Sequence, residues 1–211
     1  LKTMASGHTG VRREVVLGYA AMLNTGITPV TGEYGSLGCS GDLAPLAHAA
    51  LALTGEGIVR DKAGTQMPAA EALAAAGLEP ITLREKEGLA LINGTDGMLS
   101  QLIMALADLD VLVPTADLAT AMTVQALCGI DRVFAPDLQA LRPHPGQATS
   151  AANILALLEG SDLIQAGREG AAKRVQDAYS LRCAPQVHGA VRDTMAHALQ
   201  VAKVELASAV D

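Results

Sequence analysis

Apolar residues recur along most of this chain at the spacing of helices. Val11 to Leu23 reads as an amphipathic helix that stops at Asn24-Thr25-Gly26. Ile27 to Thr31 is short and contains Pro29, which predicts an extended connector or an edge strand. A glycine-dense loop, Gly32 to Gly41, leads into a helix from Asp42 to about Thr54, with Pro45 near its start, where a missing N–H costs little. Gly55 to Gln66, with Lys62-Ala63-Gly64 inside it, predicts a small hairpin or loop, and Pro68 to Ala76 a short helix closed by Gly77. Arg84 to Ile92 predicts a helix ending at Asn93-Gly94. Met98 to Val113 and Leu118 to Ile130 are apolar over most of their circumference, which predicts two helices buried on several sides and separated at Pro114. Arg142 to Gly146 predicts a rigid loop, Ala148 to Leu158 a helix, Gln176 to Pro185 a polar irregular stretch, and Val187 onward a last helix.

Composition sharpens this picture. Half of the 211 residues are hydrophobic, with one Phe, three Tyr and no Trp, so the apolar content is almost all aliphatic or small. Ala and Leu favour helices, and small side chains let helices approach closely. The expected fold is mainly α: a bundle of long apolar helices with an irregular glycine-rich loop and minor β structure. A net charge of −7 and the lack of any Lys/Arg stripe argue against a nucleic-acid surface. Cys39, Cys128 and Cys183 are far apart and odd in number, which fits reduced thiols and gives no zinc spacing. The stretch Val15 to Gly32 carries Asn24, Gly26 and Pro29 and makes a poor membrane span, and Leu1 to Gly10 lacks signal architecture. A cytoplasmic protein with no metal is expected. His48 reads as a satisfied core histidine, His144 as a loop residue, and His8, His188 and His197 show no ligand spacing. Both ends read as interior to a longer sequence.

The sharpest chemistry lies in Gly38-Cys39-Ser40-Gly41-Asp42. Gly41 has no Cβ to obstruct attack of its nitrogen on the Cys39 carbonyl carbon, two residues back. Such an attack closes a five-membered ring, and loss of water leaves an imidazolone. Dehydration of Ser40 then leaves a methylidene carbon, an electrophile. A helix beginning near Asp42 would point free N–H groups at this loop. A hydrolase elbow is excluded, because the position two after Ser40 is Asp42 and not glycine. A phosphate loop is excluded by the missing lysine. A plain Gly/Ser turn before a helix stays equally open on these residues alone.

The wider string, Gly35-Ser36-Leu37-Gly38-Cys39-Ser40-Gly41-Asp42-Leu43-Ala44-Pro45-Leu46-Ala47-His48, resembles the signature of the aromatic amino acid ammonia-lyases and aminomutases. That family builds a methylidene-imidazolone (MIO) from Ala-Ser-Gly. Here Cys39 stands first, and since the ring uses only its backbone, a small side chain is compatible. Two further stretches carry the resemblance. Lys86 to Thr95 looks like the family's Asn-Gly-Thr element, and Val175 to Val187 like its Tyr-Ser-x-Arg-Cys-x-Pro-Gln element. Arg142-Pro143-His144-Pro145-Gly146-Gln147 adds a fourth match.

The resemblance implies a carbon–nitrogen lyase acting on a small-molecule amino acid, with residues 1–211 as the central portion of the catalytic helical-bundle domain. It implies an MIO formed from Cys39, Ser40 and Gly41, with Tyr179 near it. It also implies Arg182 as a two-pronged clamp on the substrate carboxylate, Asn93 beside the substrate's polar head, and Gln176 toward its side chain. The Ser-Leu-Arg-Cys and Arg-Pro-His-Pro-Gly-Gln wording resembles the histidine branch, whose products would be urocanate and ammonia. A phenylalanine or tyrosine lyase, an aminomutase, and a non-catalytic helical interaction domain are the alternatives. The family further implies a homotetramer with shared active sites, and selectivity and base residues outside this chain, so that the isolated segment is incomplete for catalysis.

Overall fold

The computed structural model describes residues 1–37, 41–170 and 174–209. Its first helices are α1 (Lys2–Ala5) and α2 (Arg13–Thr25). Helix α2 ends where Gly26 turns left-handed, at φ 77°, and the Ile27 N–H reaches back to the Met22 carbonyl at 2.9 Å. A glycine meets that backbone requirement without strain. The chain then forms β1 (Thr28–Pro29), α3 (Leu43–Leu53), β2 (Ile58–Arg60), β3 (Gln66–Pro68), α4 (Ala69–Ala75) and α5 (Glu87–Ile92). The strands make one antiparallel sheet in the order β1-β2-β3, with Thr28 opposite Arg60 and Val59 opposite Met67. Pro29 thus sits on an edge strand, as a residue without an N–H must. The expected hairpin is present, its turn closed by the Asp61 carboxylate, which accepts the Ala63 and Thr65 N–H groups.

Beyond these come α6 (Asp96–Ala126), a 3-10 turn at Asp131–Phe134, α7 (Pro136–Gln139), α8 (Pro145–Leu158), α9 (Asp162–Arg168), α10 (Tyr179–Arg182) and α11 (Ala184–Ala207). The chain divides into two compact units, one of Leu1–Leu102 with Ala202–Asp211, the other of Ile103–Val201. The first has a core that includes Val15, Met22, Leu53, Val59, Leu73 and Leu91. The core of the second includes Ala121, Val124, Phe134, Ile154, Leu158 and Ile164.

Several expectations need correction. Pro114 does not separate two helices; α6 runs through it. A proline inside a helix costs about 3 kcal/mol, and the Ala- and Leu-rich turns on either side outweigh that cost. The Thr115 hydroxyl also donates to the Val111 carbonyl at 2.7 Å, next to the break in the ladder. Helix α6 is not buried on several sides in this chain. It buries Val113, Asp117, Ala121 and Val124, while Met104, Val111, Leu112 and Met122 are exposed. Helix α8 begins at Pro145, inside the expected loop, because proline's fixed φ suits a first helical position. His48 is half-buried and not core; its Nδ1 accepts the Gly32 N–H at 3.1 Å.

The buried charge of the first unit explains how the six-residue α5 is held, since so short a helix is marginal alone. The Glu87 side chain is 2% exposed. Its Oε1 accepts Arg12 Nε at 2.8 Å and the Arg12 N–H at 3.1 Å. Its Oε2 accepts Arg12 Nη2 at 2.8 Å and the Arg84 N–H at 2.7 Å. The bonds from Arg12, opposed by burial and reinforced by the backbone donors, pull the Glu87 carboxyl down from 4.5 to about 2. A carboxyl depressed in the folded state stabilises fully above its unfolded value and loses that contribution as the pH falls through its folded value. Replacing Glu87 by Gln is therefore expected to cost about 1.5–3 kcal/mol at neutral pH, the scale of a charge-assisted hydrogen bond. Thermal melts against pH should show the gap between wild type and variant closing between pH 4.5 and about 2. Equal melting temperatures at neutral pH would rule out this anchor.

Candidate active site

Helices α3 and α5 pack together in the first unit, and their packing joins two of the sequence motifs. Gly41 is buried with φ 78°, and the Asp42 N–H that follows it donates to the Gly94 carbonyl at 3.2 Å. A Cβ on Gly41 would lie 3.4 Å from the Gly94 nitrogen and 3.5 Å from Asn93 Oδ1. The loop's last glycine thus lies directly against the Asn93-Gly94 turn that ends α5. Asp42, fully buried at the head of α3, accepts the Ser36 hydroxyl on Oδ1. Its Oδ2 is enclosed with no hydrogen-bond partner among the described residues. A side chain at Gly97 would come within 2.7 Å of that oxygen. Tyr19 lines the hollow beside Asn93, Leu46 and Asp96. Burial pushes its phenol up to about 12, so it is neutral at ordinary pH.

The other candidate residues lie in the second unit. Gln176 is exposed in the bend before α10. The stretch expected to be irregular instead forms one helical turn, α10, and α11 starts already at Ala184. That turn sets the Arg182 guanidinium over the Tyr179 ring, 4.2 Å from its centre. Arg182 is half-buried, and its Nε is enclosed with no hydrogen-bond partner among the described residues. Tyr179 presents most of its ring to solvent, at 69% exposure. The arrangement holds a planar cation with donor capacity to spare on an aromatic surface, which suits a carboxylate ligand.

The structure therefore brings Gly41 and Asn93 together in one unit, and Tyr179 and Arg182 together in the other. Cys39 and Ser40 lie outside the described residues. Sequence reasoning missed the charged groups that support these elements. Glu87 and Arg12 hold α5. Asp117 joins α6, α8 and α11: it accepts Asn153 Nδ2 at 2.9 Å and Arg192 Nη2 at 2.6 Å, and it lies 2.8 Å from His188 Nδ1. Burial raises the Asp117 carboxyl, but the bonds from Asn153, His188 and Arg192 outweigh it and hold the group below its ordinary range. No signal in the sequence singled out Asp117, since the same helix also carries Asp96, Asp108 and Asp110. His188, read only for metal spacing, belongs to this network.

The substitution Gly41→Ala tests the packing of the loop on α5. It forces an L-residue into the left-handed region and puts a methyl against Gly94 and Asn93. The expected loss is about 1–2 kcal/mol from the backbone conformation alone, measurable by chemical denaturation. An unchanged midpoint would mean that Gly41 does not need its glycine geometry.

Residues 1–211 match the aromatic amino acid lyase family. Histidine ammonia-lyase from Streptomyces coelicolor is 64% identical over 211 residues, covering 100% of this chain and 41% of that protein. Histidine ammonia-lyase from Trypanosoma cruzi superposes with a TM-score of 0.82 at 37% identity, over 99% of this chain and 38% of that one. Tyrosine aminomutase from Streptomyces globisporus superposes with a TM-score of 0.83 at 42% identity, over 99% of this chain and 42% of that one. The chain thus spans about two-fifths of the length of such relatives.

Proposed function

Since this chain belongs to the aromatic amino acid lyase family, we propose that it is the central part of a histidine ammonia-lyase, releasing ammonia from L-histidine to give urocanate. The observation that carries this reading is the packing of Gly41, last member of the Cys39-Ser40-Gly41 tripeptide, on Asn93-Gly94. The residues fit an MIO. Gly41 has no Cβ to obstruct a close approach of its nitrogen to the carbonyl two residues back, and Asp42, next in sequence, has an enclosed Oδ2 with no partner among the described residues. An MIO formed there would supply an electrophilic carbon for the substrate's amino group.

The chain's own residues bind and orient. Arg182 receives the substrate carboxylate through two parallel charge-assisted bonds, and the Tyr179 ring beneath it fixes the plane of the fork. Tyr179 lies near the amino group, Asn93 meets the polar head, and Gln176 faces the substrate's side chain. A β-proton is weakly acidic, so fixing the carboxylate is what aims that proton at its base. The full enzyme is a cytoplasmic homotetramer whose sites draw on more than one subunit. The exposed apolar residues of α6, among them Met104, Val111 and Met122, suit such an interface. The likeness to tyrosine aminomutase favours a second reading, an aminomutase or a phenylalanine/tyrosine lyase using the same machinery. A substrate panel on the full-length enzyme, with products identified, separates the two.

Replacement of Ser40 by Ala is expected to abolish turnover while leaving the fold intact, since one loop hydroxyl contributes only about 0.5–1.5 kcal/mol. Intact-mass analysis of the wild type should read two waters below the sequence mass. Active protein of unmodified mass would sink the MIO reading. Arg182→Lys keeps the charge but loses the fork, and should lower kcat/KM by a factor equivalent to about 1.5–3 kcal/mol. Unchanged kinetics in the full-length enzyme would make Arg182 a structural residue.

A further inference from the structure

Tyr179 and Arg182 stand on a single helical turn, which has no stability of its own. Leu181 of this turn packs against the core of its unit, and immediately upstream an ion pair, to which no catalytic or binding role has yet been given, anchors the segment that leads into it. The Asp177 side chain is 2% exposed and that of Arg174 is 37% exposed. Asp177 Oδ1 accepts Arg174 Nε at 2.6 Å, and Oδ2 accepts the Ile130 N–H at 2.7 Å. Arg174 Nη2 donates to the Leu127 carbonyl at 2.7 Å. One ion pair thus takes hold of both a donor and an acceptor on the turn that follows α6.

That turn is itself tightly constrained. Cys128 sits at φ 49°, unusual for a residue with a side chain, and the Gly129 N–H closes on the Val124 carbonyl at 2.8 Å. A Cβ on Gly129 would lie 2.9 Å from Asp177 Oδ2. On the other side, a Cβ on Gly167 of α9 would collide with the Cys128 carbonyl. The turn is wedged between α9 and the Asp177 carboxylate, with no room for it to shift. Asp177 follows Gln176 directly and precedes Tyr179 by two residues.

We propose that Asp177, locked by Arg174, is a positioning residue: it fixes where the Tyr179–Arg182 turn meets the amino acid. This rests on the lyase reading above. A buried carboxylate held by a backbone donor and a guanidinium has one geometry, and it passes that geometry to the residues on either side of it. Gly41 belongs to the other compact unit, so loss of Asp177 weakens binding of the amino acid without preventing the chain from losing its two waters.

The test uses the full-length enzyme with Asp177→Ala, Asp177→Asn, Arg174→Ala and the Asp177→Ala/Arg174→Ala double variant. Intact mass gives the dehydrated fraction, by which kcat is expressed per dehydrated site; KM for the amino acid needs no such correction. Asp177→Ala should raise KM by about tenfold or more, which is loss of binding rather than of site content. Asn keeps an acceptor for the Ile130 N–H and should recover part of this loss. Arg174→Ala should resemble Asp177→Ala, and the double variant should be no worse than the single ones, the mark of a shared interaction. A lower melting temperature with unchanged KM would overturn the proposal and leave Asp177 a structural residue. Should Asp177→Ala not fold, Asp177→Asn and Arg174→Ala carry the same KM comparison. A wild-type enzyme without lyase turnover would overturn the lyase reading and this inference with it, whereas wild-type turnover with normal KM in the variants overturns this inference alone.

Discussion

Enclosing a carboxylate whose charge is not met by hydrogen bonds or an opposite charge costs several kcal/mol. This structure turns that requirement into a means of placing short elements. Glu87, Asp117 and Asp177 each accept from an arginine, and Glu87 and Asp177 also accept from backbone N–H groups. Each ties segments that are distant in sequence: Glu87 binds α5 to the start of α2, Asp117 joins three helices, and Asp177 fastens the segment before α10 to the turn after α6.

In each unit the candidate residues depend on that constraint, because they stand on elements that cannot hold themselves. Helix α5 has six residues and α10 has four. Asn93 is placed by the far end of a helix whose near end is pinned at Glu87, and Gly41 then settles on the Asn93-Gly94 turn. Among the described residues Arg182 Nε has no hydrogen-bond partner, and Asp177, five residues before it, is committed to Arg174 and to the backbone.

Much of this could be read in the sequence, and the reasons are local. The stop of α2 at Gly26, the hairpin between Gly55 and Gln66, and the helix from Leu43 follow from backbone preferences of glycine and proline and from apolar spacing, all of which act within a few residues. The glycine loop, Asn93 and the Tyr179/Arg182 pair were legible as motifs, because each occupies a short contiguous string.

What only the tertiary structure decided is non-local. The sequence placed a break at Pro114, yet α6 continues, since the stability of long helical turns on both sides exceeds the local cost of one proline. It treated His188 as a bland residue, yet His188 meets Asp117, 71 positions away. Nothing in the string Val175-Gln176-Asp177-Ala178 indicates that its aspartate is nearly enclosed and bonded to Ile130, 47 positions earlier. Spacing rules describe neighbours along one element. The partner of a buried charge is set by which elements pack together, and that is determined by the burial of the whole apolar surface at once.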